Sequence, residues 1–199
     1  MIITPNLDEI FPHYIYKFKV PNYEILNKNL ISKIYELKDK NKLGIIRSNY
    51  GGWHSDIESD KFSDISDIIL SLYKKEILKN KSLDIKLDSI WANINHKGCY
   101  NKIHSHGASH YSGVYYIKTP KNSGNLYLVN RETSFTEPFN YFKSDCADEV
   151  EYKPEEGDLY FFSGNLPHRT GINLSDEDRV SISWNVNISN LEQKFKGNK

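Results

Sequence analysis

The sequence predicts a mainly β protein, a jelly roll with helices packed on its outside. From residue 84 the apolar period shortens from about 3.6 residues to 2, the change from helix to half-buried strand. Gly, Pro, Asn and Ser cut that same stretch into short runs, as turns between many strands would. The helix-period segments all come earlier, so helices and strands do not alternate as they would around a parallel sheet.

Residues 1–20 read as an extended lead-in, with HYIYKFKV alternating loosely between Pro12 and Pro21. Asn22 is placed to cap a first helix over 23–42, in which Leu26, Leu30, Ile34 and Leu37 share a face and Gly44 lies beyond the end. Residues 45–56, IIRSNYGGWHSD, predict a short strand and a glycine loop. Ser63 or Asp64 would cap a second helix over 64–79, with Ile65, Ile68, Ile69 and Leu72 turned to one side. Both helices are expected as cover for a sheet. Strands follow at 84–95, 111–118, 124–130, 148–153, 158–163 and 179–188. In the last, Arg179, Ser181, Ser183, Asn185 and Asn187 alternate with Val180, Ile182, Trp184, Val186 and Ile188. In the first, Trp91, Asn93 and Asn95 alternate with Ile90, Ala92 and Ile94. Such a polar face either meets water or lines a wet cavity, and alternation alone leaves both open.

At 199 residues the chain is expected to be one domain, with 1–83 as helical and extended support and 84–188 as the β core. Lys plus Arg is 26 and Asp plus Glu is 26, which disfavours a nucleic-acid partner. No apolar run is long enough for a membrane span or a signal-peptide core. Two cysteines, Cys99 and Cys146, are too few for a disulfide framework, so a reducing cytoplasm is the expected compartment. Oligomeric state has no signature. There are 22 Lys but only 4 Arg, so Arg is not the default cation and each one is informative.

Four of the seven histidines fall between 96 and 110. In an extended segment His104 and His106 project to the same side and can share one ion. His168, in NLPHRTG after the strand DLYFF, supplies a distant third imidazole. Three protein ligands would leave coordination positions open for substrate and oxygen. Arg179 follows eleven residues later and opens a strand whose next residue on that face is Ser181, a receptor suited to a buried carboxylate.

With these motifs on the page, the sequence resembles the Fe(II)/2-oxoglutarate-dependent dioxygenases, most of all the prolyl-hydroxylase-like branch and its bacterial and phage relatives. The likeness covers about residues 88–188. ANINHKGCYNKIHSH is similar to that family's strand and Tyr-containing loop running into the paired ligands, and SGVYYIKTP to the strand that follows. SGNLYLV, KPEEGDLYFFSGNLPHRTG and RVSISWNV match its later motifs in order. The resemblance implies a double-stranded β-helix with Fe(II) held by His104, His106 and His168. It implies 2-oxoglutarate anchored by Arg179 with Ser181 and Tyr116, and O2 as co-reactant. The implied products are succinate, CO2 and a hydroxylated small molecule or peptide.

One position departs from the family, whose motif is H-x-D or H-x-E. Here His106 takes the carboxylate's place, and no Asp or Glu occurs from Ser89 through Arg131. Either the triad is all histidine or an acid such as Asp145 or Glu149 joins it. Neutral imidazoles would leave the site one positive charge richer and hold anions more strongly. Asn93 and Asn95 are further candidates for the cosubstrate pocket, and Tyr100, His110, Trp53 and Arg131 for the substrate. The Gly51–Ser55 loop reads as a lid or as packing, and Cys99 as a small buried residue. Two other functions fit the same residues: a three-His, cupin-like dioxygenase without 2-oxoglutarate, and a non-catalytic binding module.

Overall fold

A computed structural model describes residues 12–58, 60–79, 83–130 and 148–189. The chain order is β1 (Ile15–Lys19), α1 (Tyr23–Lys40), β2 (Asn49–Tyr50), β3 (Trp53–His54) and α2 (Ser63–Leu72). A π-helical turn, Tyr73–Ile77, leads on to β4 (Ile85–Asn95), β5 (Tyr100–Asn101), β6 (Tyr111–Lys118), β7 (Leu126–Val129), β8 (Glu149–Tyr152), β9 (Asp158–Ser163), β10 (His168–Thr170) and β11 (Arg179–Ile188). A six-stranded antiparallel sheet in the order β1-β9-β6-β11-β4-β3 faces a smaller sheet, β10-β7-β8, and a β2-β5 ribbon stands beside them. This is the expected mainly β jelly roll with helices outside it. The large sheet also takes β1 and β3 from the segment before residue 84.

Strand alternation sorts the large sheet into two chemistries. Ile90, Ala92, Ile94, Val180, Ile182, Trp184 and Val186 are fully buried on the outer face with Leu30 and Ile34 of α1 and Ile65 and Ile69 of α2. Removing such side chains from water is the dominant stabilising term here, roughly 1.5–3 kcal/mol each. The inner face is ordered in rows by register. One row runs His54–Asn93–Ser181–Tyr116, and the next Trp91–Ser183–Val114. A smaller apolar cluster of Val114, Tyr116, Leu126, Leu128, Tyr160, Phe162 and Leu166 completes the interior. The polar alternation therefore lines a cavity.

The helix caps differ from expectation. Asn22 does precede α1, but by adopting φ +52°, with no side-chain hydrogen bond; Asn tolerates this left-handed conformation better than most residues. Phe62, not Ser63 or Asp64, precedes α2, and its full burial fixes the entry to the helix. No helix among the described residues is long and apolar enough to cross a membrane.

Candidate metal centre

His104 and His168 lie far apart in the chain but on adjacent, antiparallel segments. Reciprocal backbone bonds join them: His104 N–H to the His168 carbonyl at 3.0 Å, and His168 N–H to the His104 carbonyl at 2.9 Å. His106 is fixed by its N–H donating to the Gly164 carbonyl at 2.7 Å. That approach requires glycine, since a Cβ at Gly164 would lie 2.2 Å from the Ser109 carbonyl oxygen. The ligand-capable atoms of His104, His106 and His168 all lie within 4.8 Å of one another. Two nitrogens bound to one ion at about 2.1 Å can be no more than about 4.2 Å apart, so a small side-chain adjustment completes a chelate.

The second ring nitrogens orient the ligands. Nδ1 of His104 meets the Lys102 carbonyl at 2.8 Å and Nδ1 of His168 meets the Leu166 carbonyl at 2.9 Å. A carbonyl only accepts, so both Nδ1 atoms carry hydrogen and both Nε2 lone pairs are left for a metal. Burial disfavours the imidazolium form throughout. It lowers His104, takes His106 down to about 4, and takes His168 down to about 3, with His104 adding to the last two. The rings are thus neutral and ready to bind a cation.

Among the described residues, no carboxylate joins them. Glu149 is gripped by Arg169, with Nε at 2.8 Å and Nη2 at 2.5 Å, so it is not a metal ligand in this arrangement. Asp145 lies outside the described residues. Among those described, the cluster is His104, His106 and His168 alone.

Behind the triad lies Arg179, 1% exposed. Its Nη1 donates to the carbonyls of Ser123 (2.8 Å), Gly124 (3.2 Å) and Gly171 (3.2 Å), and its Nη2 to Thr170 Oγ1 (2.9 Å). Dipoles position the guanidinium but do not neutralise it, and no carboxylate of the described residues pairs with it. Burial lowers its pKa, yet an Arg keeps its charge, so the site presents a fixed buried cation. Tyr116 and Ser181 stand beside it in the cavity wall. Burial pushes the Tyr116 hydroxyl up to about 12, keeping it a neutral donor. Asn93 donates to Ser183 Oγ at 3.2 Å, and its buried Oδ1 has no partner among the described residues and belongs to the same cavity wall. The cavity encloses ≈ 570 Å³ and joins the triad, Arg179, Ser181, Tyr116 and Asn93 in one space.

Other candidates fall elsewhere. Asn95 is buried but outside this cavity, its Nδ2 donating to Asn101 Oδ1 at 3.4 Å. Trp53 pairs with Ile94 and so turns to the outer core, where its Nε1 donates to the Asn41 carbonyl at 2.8 Å. Its neighbour His54 pairs with Asn93, faces the cavity and stacks on Trp91 at 5.5 Å. Tyr100 stacks on Tyr50 at 5.0 Å in a side hollow. His110 is exposed and bonds Asn187 Oδ1 at 2.7 Å. Arg131 lies outside the described residues. Thr170, Arg47 and Lys102 also line the cavity, though sequence reasoning did not single them out within their motifs.

A jelly roll whose polar interior converges on three imidazoles, with a buried cation behind them, defines a metal-dependent enzyme that binds a small anion. The sequence model of the family described as "Putative 2OG-Fe(II) oxygenase" matches residues 89–185, the same span on which the motifs fall. That match takes in the β core and all three imidazoles, and the class it indicates is the 2-oxoglutarate-dependent Fe(II) oxygenases. Solved structures show the same fold. A Pseudomonas putida prolyl-4-hydroxylase is 16% identical, with TM-score 0.61 over 88% of this chain and 93% of that one. A Trichoplax adhaerens prolyl hydroxylase, solved with a fragment of a hypoxia inducible factor degradation domain, is 12% identical, with TM-score 0.64 over 93% and 87%. HygX of Streptomyces hygroscopicus, solved with nickel and 2-oxoglutarate, is 11% identical, with TM-score 0.58 over 87% and 82%. Comparison with curated protein sequences gives no match.

Proposed function

We propose that this protein hydroxylates an organic substrate at the expense of 2-oxoglutarate, releasing succinate and CO2. The observation that carries this reading is one cavity holding both three convergent neutral imidazoles and a buried Arg179 with no carboxylate partner among the described residues. HygX, of the same fold, holds nickel and 2-oxoglutarate.

His104, His106 and His168 would hold Fe(II), which supplies the activation of O2 when bound. Arg179 takes the distal carboxylate of 2-oxoglutarate with the N–H groups that the carbonyls and Thr170 leave free. Tyr116 and Ser181 donate hydroxyl hydrogens to the same group. The apolar side chains Val114, Leu126 and Phe162 keep that end dry, which strengthens each charge-assisted bond. His54 and Trp91 line the cavity as well, on the wall formed by β3 and β4.

The test is turnover followed by ¹H NMR. The Fe(II)-loaded protein in air should convert 2-oxoglutarate to succinate, and His168→Ala should abolish the conversion. Metal-dependent consumption of O2 without succinate would instead support the cupin-like alternative.

A further inference from the structure

The three imidazoles and Arg179 line one part of the cavity, while the exposed Arg47 and Lys102 give its mouth a chemistry of its own. At ≈ 570 Å³ the cavity is within the range that takes a second small molecule beside a five-carbon diacid. The β2–β5 ribbon forms part of the mouth. Lys102 N–H donates to the Ser48 carbonyl at 2.9 Å, extending the Asn49–Asn101 pairing by one rung, and both Arg47 and Lys102 line the cavity.

This ribbon is preorganised. Arg47 N–H donates to Asn49 Oδ1 at 2.7 Å, and Asn49 Nδ2 donates to the carbonyls of Ile45 (3.3 Å) and Gly52 (2.6 Å). The Lys102 carbonyl accepts from Nδ1 of His104, so the ribbon is tied directly to a predicted metal ligand. Lys102 lies 5.6 Å over the Tyr50 ring. Neither Arg47 nor Lys102 makes an ion pair among the described residues. Among the described residues, Asp56 is the one acidic side chain in the cavity wall, against Arg47, Lys102 and Arg179. Of the four Arg, Arg131 lies outside the described residues, Arg169 grips Glu149 and Arg179 lies buried, whereas Arg47 is exposed in the cavity wall with no ion-pair partner among the described residues. Ile45, Ile57 and Ile103 supply an apolar wall beside it.

We propose that the mouth recognises a small organic acid with an apolar body. Arg47 takes its carboxylate bidentately, Lys102 adds a second charge, and the isoleucines cover the body so that a C–H bond faces the metal. This rests on the oxygenase reading above. A glutamyl side chain in a peptide carries the same carboxylate, so the experiment separates the two sources.

The protein is first loaded with Mn(II) and N-oxalylglycine, an unreactive stand-in for 2-oxoglutarate, and calorimetry checks the complex. Failure at that stage would refute the oxygenase reading and leave the mouth unaddressed by it. The complex is then mixed with matched acid and primary-amide pairs, such as 4-methylpentanoate and N-acetyl-leucine with their amides, and with Ac-Ala-Glu-Ala-NH2. Proton relaxation by Mn(II), read at about 10 mM ligand, detects even millimolar affinity close to the metal. The free acids should relax and their amides should not. Arg47→Gln with Lys102→Gln should weaken the acids at least about tenfold, the scale of one charge-assisted bond. Amides matching acids, no acid binding, unchanged binding in the double variant, or binding by the Glu peptide alone would each overturn the proposal.

Discussion

At the scale of single residues, the site combines uncharged ligands with one permanent charge. Unfolded imidazoles take up protons near 6.5, whereas His106 and His168 in the fold do so only near about 4 and about 3. Between those values the unfolded chain binds more protons, so stability is complete above about 6.5 and is lost as pH falls. Thermal melts of metal-free protein should therefore show Tm dropping as pH is lowered from about 6.5 to about 4. The His106→Gln variant should drop less steeply. Arg179 supplies the charge. Arg179→Lys keeps it but loses the fork and the Nη1 bonds to three carbonyls. It should weaken 2-oxoglutarate binding by roughly 1.5–3 kcal/mol while leaving metal content intact. Calorimetry with Mn(II)-loaded protein, paired with metal analysis, checks both halves.

At the scale of elements, legibility followed length. The strands at 111–118, 158–163 and 179–188 were read to the residue, the last from its ten alternating positions and the other two as apolar runs bounded by Gly and Pro. The short elements β2, β3, β5 and β10 hold two or three residues, too few to show a period, and they carry much of the mouth. Trp53 and His54 show the cost. Within a two-residue strand, only pairing to β4 decides that the indole turns to the core and the imidazole to the cavity. The triad was legible because histidine at i and i+2 needs only an extended backbone. Arg47 and Lys102 were not, since their place in the cavity wall comes from the folding of the ribbon. Loop geometry also carries weight behind Arg179. Gly124 has φ +87°, and a Cβ there would lie 2.3 Å from the Gly171 carbonyl oxygen and 2.8 Å from Arg179 Nη1. Gly124→Ala should cost about 1–3 kcal/mol in denaturant unfolding and reduce 2-oxoglutarate affinity more than metal affinity.

At the scale of the whole molecule, one sheet serves two layers. Its outer face joins α1 and α2 in the core, and its inner face is spent on polar chemistry. The layers should separate by mutation. Ile34→Ala, in a fully buried position on α1, should lower unfolding stability by roughly 2–5 kcal/mol yet leave 2-oxoglutarate affinity of the folded protein unchanged. The central claim is that an all-histidine triad and a buried guanidinium form one binding unit for metal and 2-oxoglutarate. Titration of 2-oxoglutarate into the protein by calorimetry, with and without Mn(II), tests it most directly. The account predicts one molecule bound per chain when metal is present, with affinity lost in His168→Ala. A metal-loaded protein that gives no heat with 2-oxoglutarate would contradict it.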